Sequence, residues 1–254
     1  MKTYQTASLS ADVAAFRKGH VDSSLRIDIS DDFATYYSPF DHVNSNARIA
    51  IIGITPGRAQ AANALAELQR AYTVTGDWSK SLEAAKVHAS FSGPMRSNLV
   101  RLMDFVGLQR LVGISSSAEL FEQRADLAHF TSAIRYPVFL HGKDYGGSPP
   151  IMKTPWLLKL AEKWLVEEIR MLPDAVFIPL GPKVGDVLFH LSRIGLIAPE
   201  RIIAGLPHPS GANAERISYF LNRKPRDQLS LRTNAGKIDT ARSGIQRQMA
   251  MLLA

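Results

Sequence analysis

Stretches of near-continuous apolar residues alternate along the chain with segments whose apolar residues recur at helical spacing. Residues 47–54 read ARIAIIGI, which fits a strand covered on both faces of a parallel sheet, and Thr55-Pro56-Gly57 then turns the chain. The alanine- and leucine-rich stretch 59–70 predicts a helix. In 97–106, Leu99, Leu102, Met103 and Val106 line one helical face, and Gly107 can end it. A second buried strand is predicted over 130–138, followed by a Gly- and Pro-rich loop over 141–150. Thr154-Pro155-Trp156 opens a helix that runs to about Met171, with Thr154 as N-cap and Pro155 in the first turn. Strands over 174–180 and 201–206 and helices over 184–194 and 214–221 complete the alternation. This order predicts an α/β fold, a three-layer α/β/α sandwich around a mostly parallel four-stranded sheet, with residues 1–254 as a single domain.

Composition narrows the chemistry. Hydrophobic residues make up 46% and charged residues 21%, as in ordinary globular chains. The absence of cysteine excludes disulfides, Cys-ligated zinc, an iron–sulfur cluster and a thiol nucleophile, and is compatible with a cytoplasmic protein. No apolar run approaches the roughly 18 residues that span a membrane, and the first residues lack a secretory pattern. Lysine and arginine outnumber aspartate and glutamate by 30 to 23, so the net charge of +7 favours a polyanionic partner. Much of that excess lies in a basic C-terminal segment, 221–254, where Arg223, Lys224, Arg226, Arg232, Lys237, Arg242 and Arg247 face only Asp227 and Asp239. Such a segment is either a solvated surface or one that contacts phosphates.

Unusual turns follow three of the strands, at the sheet edge where open α/β folds bind ligands. They are Gly53-Ile54-Thr55-Pro56-Gly57, Thr131-Ser132-Ala133-Ile134-Arg135 and His208-Pro209-Ser210-Gly211-Ala212-Asn213, with Phe91-Ser92-Gly93-Pro94 between the first two. Glycine and proline after the first strand let the backbone approach a ligand and present N–H groups. No Lys-Ser or Lys-Thr follows, so a triphosphate-binding loop is excluded. Phe91 either offers its ring to something planar or fills the core. His208, fixed between two prolines, can donate to an oxygen that gains charge in a transition state, or is a plain loop histidine. Ser210 and Asn213 suit phosphate contact or capping of the next helix. There is no G-x-S-x-G elbow for a serine hydrolase.

Taken together, these segments resemble the uracil-DNA glycosylase superfamily. GITPG at 53–57 is similar to its first motif, HPSGAN at 208–213 to its second, and TSAIRYP at 131–137 to a strand of its iron–sulfur class. FIPLGPKVGDVL is similar to the strand and turn before the second motif, and Phe91 falls where the superfamily has a base-stacking phenylalanine. The resemblance covers about 48–220 with the motifs in order. It implies a monofunctional DNA glycosylase that flips a nucleotide out of the stack and hydrolyses its N-glycosidic bond through an oxocarbenium-like state, leaving an abasic site. By the same resemblance, Phe91 stacks on the base and His208 donates to its O2. Gly53, Ile54, Thr55, Pro56, Gly57 and Ser132 surround the base and the attacking water. Pro209, Ser210, Gly211 and Asn213, with Arg223, Lys224 and Arg226 of the basic segment, contact DNA. The expected partner is DNA, the expected state a monomer, and neither metal nor cofactor is implied.

The departures from the family pattern bear on substrate. Thr55 stands where many members carry an Asp or Asn that handles water, and Thr cannot be a general base near neutral pH. Asp77 and Asp144 lie in loops that could supply the missing acid, or are plain turn residues. Ser132 replaces an Asn that reads the uracil edge. Gly57 replaces a Tyr that blocks the base C5. Both changes remove atoms, so the expected substrate is a C5-modified pyrimidine, such as hydroxymethylcytosine with or without glucose in phage DNA, which would make the protein antiviral. The alternatives are a repair glycosylase for uracil or another deaminated base, a non-catalytic nucleic-acid binder on the same scaffold, and an unrelated α/β hydrolase or transferase.

Overall fold

The structure, a computed structural model, describes residues 12–16, 18 and 23–253. The chain divides into two compact units, each assembled from separated segments. The first takes the chain up to Asn44 together with Gly53–Ser90 and Phe130–Met171; the second takes Ser45–Ile52, Phe91–His129 and Leu172 onward.

The first unit contains an antiparallel sheet that the apolar pattern did not announce. Strands β1 (Arg26–Ser30) and β2 (Phe33–Tyr36) pair antiparallel, β2 pairs with β5 (Val138–Leu140), and β5 with β6 (Lys143–Asp144). Helices α1 (Arg58–Thr75), α2 (Trp78–Ala89) and α4 (Pro155–Arg170) belong to this unit. Phe16, Leu25, Ala61, Ala62, Leu65, Leu68, Ala85 and Phe139 form its core. Helix α1 ends where Gly76 adopts φ 63° and donates its N–H to the Tyr72 carbonyl, a left-handed cap that suits glycine. Asp77 then caps α2 by accepting from the Lys80 N–H at 3.1 Å.

Strand β3 (Ile49–Gly53) begins in the second unit and ends in the first, as does β4 (Ala128–Ser132). With β7 (Val176–Pro179) they form a sheet of order β4-β3-β7. β3 and β7 pair in parallel, from Ile49 opposite Val176 to Ile52 opposite Pro179. Ile49, Ala50, Ile51 and Ile52 are all fully buried, as the uninterrupted apolar run requires.

The sheet corrects the four-stranded expectation. The parallel sheet has three strands, and 201–206 contributes one parallel bridge, Ile202 to Phe177. Gly205 at φ 123° takes the chain out of extended conformation, and Pro207 has no N–H to continue a ladder. The strand expected over 130–138 also divides. β4 stops at Ser132, and β5 starts at Val138 in the antiparallel sheet, with Pro137 between them. Thr154 stands at the N-cap of α4 as expected, but its side chain makes no cap hydrogen bond; its hydroxyl donates instead to the Pro150 carbonyl at 3.1 Å.

Helices α3 (Pro94–Val106), α5 (Pro182–Arg193), α6 (Ala214–Phe220) and α7 (Ala235–Leu252) complete the second unit. The basic tail is partly structural, because α7 buries Ile245 and Met249. Arg242 donates to the carbonyls of Tyr219 and Phe220, each at 3.2 Å, and pairs with Asp239 at 2.7 Å. A Cβ on Gly205 would lie 3.0 Å from the Ala241 Cβ, so α7 packs against bare backbone three residues before His208. No described helix is long and apolar enough to cross a membrane.

Candidate active site

In the second unit, β7 leads through Gly181, at φ 92°, into α5. A Cβ on Gly181 would stand 3.6 Å from the Cβ of His208, so the glycine turn and the histidine lie side by side. Pro207 and Pro209 restrict the backbone on either side of His208. The Ser210 N–H donates to His208 Nδ1 at 3.3 Å. Nδ1 is therefore the unprotonated nitrogen, and the single proton of the neutral ring sits on Nε2, free to be donated. Burial lowers the His208 pKa, which also favours the neutral ring.

Phe91 belongs to the same unit. It is buried, and its φ of 50° is a left-handed conformation that costs a non-glycine residue about 1–2 kcal/mol. Gly93, also at positive φ, and Pro94 at the first helical position then start α3. One residue of α3 links this turn to the histidine loop: Asn98 donates from Nδ2 to the Pro209 carbonyl at 2.8 Å. Arg101 donates to Oδ1 of the same amide and so fixes which end points at Pro209. Sequence reasoning missed Asn98, although an Asn inside an amphipathic helix is a weak helix former and a sign of some other bond.

Ser210 and Asn213 each stand at an N-cap position, but neither side chain makes a cap hydrogen bond. Asn213 donates to Ser210 Oγ at 3.1 Å and accepts from Arg216 at 2.8 Å. A Cβ on Gly211 would meet nothing within 4 Å. Of the tail cations, Lys224 is paired with Glu215 at 2.7 Å, Arg226 stands 3.9 Å from Asp239, and Arg223 is exposed.

In the first unit, the turn after β3 is joined to the segment after β4. Ala133 N–H donates to the Gly53 carbonyl at 2.8 Å and Ile134 N–H to the Ile54 carbonyl at 3.0 Å. Thr55 donates its hydroxyl to the Tyr136 carbonyl at 2.8 Å and accepts from the Val138 N–H at 3.1 Å. The proton and one lone pair of Thr55 are thus committed to backbone, leaving one lone pair for a water. Ser132, the last residue of β4, is buried. Arg135 donates to Glu168 of α4, a buried carboxylate that also lies 4.0 Å from Lys86 Nζ.

The space beside Gly57 is not open. A Cβ there would lie 3.0 Å from Oδ2 of Asp144, which accepts from the Arg58 N–H at 3.1 Å and so sits at the start of α1. Of the two loop acids, Asp77 is taken up as the α2 cap, whereas Asp144 stands at the turn with half its side chain exposed. No cluster of three or more metal-ligating side chains occurs among the described residues.

Comparison with known proteins bears on this arrangement. The chain is 34% identical over 220 residues to the uncharacterized protein YoxB of Bacillus subtilis (strain 168), covering 85% of this chain and 86% of that protein. No solved structure matches it significantly. A family model described as the uracil DNA glycosylase superfamily matches residues 40–229, a span that includes Phe91, His208 and every turn described above. The chain belongs to the uracil DNA glycosylase superfamily.

Proposed function

We propose that the protein is a monofunctional DNA glycosylase, acting on a flipped pyrimidine with a hydroxylated C5 substituent, and that His208 stabilises the departing base. The observation that carries this reading is the Ser210 N–H on His208 Nδ1, which leaves Nε2–H as the only donor of a ring held between two prolines. As the N-glycosidic bond lengthens, electrons move onto the base and charge grows on its O2. A preoriented neutral donor stabilises that charge without first having to reorganise. Phe91 supplies a stacking face, which its costly backbone conformation supports. The sugar becomes oxocarbenium-like, water adds at C1′, and the products are a free base and an abasic site. Such an electron-poor carbon needs only modest activation of water, which suits a turn whose Thr55 retains a single free lone pair.

Asp144 refines the substrate. The Asp144 carboxylate lies where a Gly57 side chain would begin, and on this reading it stands in for the aromatic block that faces C5 in the superfamily, as an acceptor. An acceptor suits a hydroxymethyl group or the hydroxyls of an attached sugar better than the bare C5 edge of uracil. The short Ser132 provides no amide to select uracil.

Matched oligonucleotides carrying uracil, 5-hydroxymethylcytosine or glucosylated 5-hydroxymethylcytosine test this reading, with free base and abasic sites as the readout. Release of a hydroxylated base in preference to uracil is expected. Fast release of uracil alone would make the protein an ordinary uracil glycosylase, and DNA binding with no release of any base would make it a non-catalytic binder.

A further inference from the structure

Arg58, the first residue of α1, meets Asp144 with both its backbone and its side chain. Its N–H donates to Oδ2 at 3.1 Å, and its Nε stands 3.8 Å from Oδ1. The guanidinium is fixed on two further sides. Nη2 donates to the Gly142 carbonyl at 2.6 Å, and the guanidinium carbon lies 4.4 Å from the centroid of the Phe139 ring. Nη1 is buried without a hydrogen-bond partner, a cost that the cation–π contact helps to offset. The Arg58 side chain is 19% exposed and that of Asp144 52%, so the cation backs a carboxylate that meets solvent.

The hairpin that carries Asp144 is equally constrained. His141 and Gly142 join β5 to β6 at φ 49° and 71°, the two successive left-handed residues of a tight hairpin turn. This register sets Asp144 opposite Phe139. The His141 N–H donates to the Asp32 carbonyl at 2.9 Å, and its Nδ1 stands 3.3 Å from the Asp32 carboxylate, which ties the hairpin tip to the turn between β1 and β2. Asp144 therefore has Oδ2 bonded to Arg58 and Oδ1 with no hydrogen bond among the described residues, on a backbone pinned at His141 and Gly142.

We infer, resting on the hydroxylated-pyrimidine reading, that Arg58 is a specificity-determining positioning residue: it holds Asp144 so that the site admits C5 substituents carrying a hydroxyl proton and rejects formyl and carboxyl groups of similar size. A carboxylate accepts hydrogen bonds and cannot donate one. A hydroxymethyl group or a linked sugar brings a proton to Oδ1. A methyl group brings none, a formyl oxygen sets acceptor against acceptor, and a carboxyl group sets like charge against like. The Arg58 guanidinium gives a base carboxylate little compensation, because Nη2 is bonded to Gly142 and Nη1 is buried. An unheld carboxylate would turn away from a poor partner and admit all of these bases; one held by Arg58 keeps the unpaired acceptor in place, and the mismatch retains its cost.

The probes are duplexes with one 2′-fluoroarabino nucleotide, which resists hydrolysis, bearing cytosine or its 5-methyl, 5-hydroxymethyl, 5-formyl or 5-carboxyl derivative; the readout is the dissociation constant of each. Wild-type protein is expected to bind the hydroxymethyl duplex about tenfold more tightly than the cytosine duplex, and the formyl and carboxyl duplexes no better than cytosine. Arg58→Ala should lose that preference, and Arg58→Lys, which keeps a cation beside Oδ1 without the planar fork, should recover part of it. In an Asp144→Ala background, Arg58→Ala should not change the ratio further, because Arg58 acts through the carboxylate. A preference that survives Arg58→Ala, or a ratio that Arg58→Ala still changes in the Asp144→Ala background, would overturn the role of Arg58. Equal binding of the hydroxymethyl, formyl and carboxyl duplexes by wild type would overturn selection by the hydroxyl proton. Tight binding of every duplex by wild type, with no preference for hydroxymethylcytosine over cytosine, would overturn the hydroxylated-pyrimidine reading instead.

Discussion

The Asn98 side chain donates to the Pro209 carbonyl at 2.8 Å, so the helix that starts just after Phe91 holds the loop that carries His208. The bond lies next to the histidine and touches neither base nor sugar in the proposed reaction. Asn98→Ala should therefore leave KM near its wild-type value and lower kcat, by about tenfold if the loop shifts by a fraction of an ångström. The fold should lose only about 1 kcal/mol, the worth of one hydrogen bond. Steady-state kinetics beside a denaturant titration separates the two effects. A change in KM alone would show that Asn98 acts on binding rather than on the position of His208.

His208 should act as a neutral donor. His208→Ala is expected to cost about 10²–10³ in kcat, the usual loss for a donor aimed at developing charge. Burial lowers the pKa of His208 from 6.5, and protonation would remove the Nδ1 acceptor of the Ser210 N–H. The wild-type rate should stay level as pH falls to 6.5 and decline only below it. Folding stability follows the same sign. The unfolded histidine takes up its proton first, so this group's contribution is lost as pH falls below 6.5 towards the lower folded pKa. A pH–rate profile of His208→Asn, which keeps an N–H donor but does not titrate, should lack the acid limb.

Gly205 links the tail helix to the chain entering the histidine loop. Its φ of 123° disfavours any L side chain, and an added Cβ would stand 3.0 Å from the Ala241 Cβ. Gly205→Ala should destabilise the protein by about 1–3 kcal/mol from backbone strain, with a further cost from displacing α7. Thermal unfolding measures it, and a melting temperature equal to wild type would show that α7 does not depend on this close approach.

What the sequence made legible, and what it hid, has a physical basis in these residues. Ile49–Ile52 declared themselves because burial on both faces forbids polar residues. His208 and Phe91 were visible because each stands in a short, chemically odd turn. The antiparallel sheet was hidden because its strands are short, β1 of five residues, β2 of four, β5 of three and β6 of two, too few for a periodic pattern to stand out. The break between β4 and β5 turns on Pro137, within an otherwise apolar stretch. Asn98 to Pro209 and Gly57 to Asp144 join positions 111 and 87 residues apart, and no local pattern encodes such pairings.

The tail should bind DNA through fewer cations than its composition implies. Arg242 is bonded to backbone carbonyls and Asp239, and Lys224 is paired with Glu215. Exposed Arg223, Arg226 and Arg232 remain to engage phosphates. Replacing these three with Gln should weaken duplex binding irrespective of sequence and flatten the log–log salt dependence by about 0.9 for each phosphate no longer neutralised. Replacing Arg242 instead should lower stability and leave the salt slope alone. A slope unchanged by the triple substitution would mean that this surface only solubilises the chain.

Asp144 is where substrate choice can be tested most directly. Its Oδ2 lies 3.0 Å from the point where a Gly57 side chain would begin, and its carboxylate is half exposed. If the carboxylate accepts a hydrogen bond from a C5 hydroxyl, Asp144→Ala removes a charge-assisted bond worth about 1.5–3 kcal/mol for hydroxylated bases and nothing for uracil. The ratio of kcat/KM for 5-hydroxymethylcytosine over uracil should then fall roughly 10- to 100-fold. Asp144→Asn offers a control, because its amide oxygen can still accept from the Arg58 N–H at the start of α1. It should preserve the fold and lose only part of the selectivity, since a neutral acceptor makes a weaker bond. Should both variants lose rate equally on every base, Asp144 would instead be acting on the common step, the addition of water, and the C5 reading would fall. Identical selectivity and rate in all three proteins would leave Asp144 as no more than a helix cap.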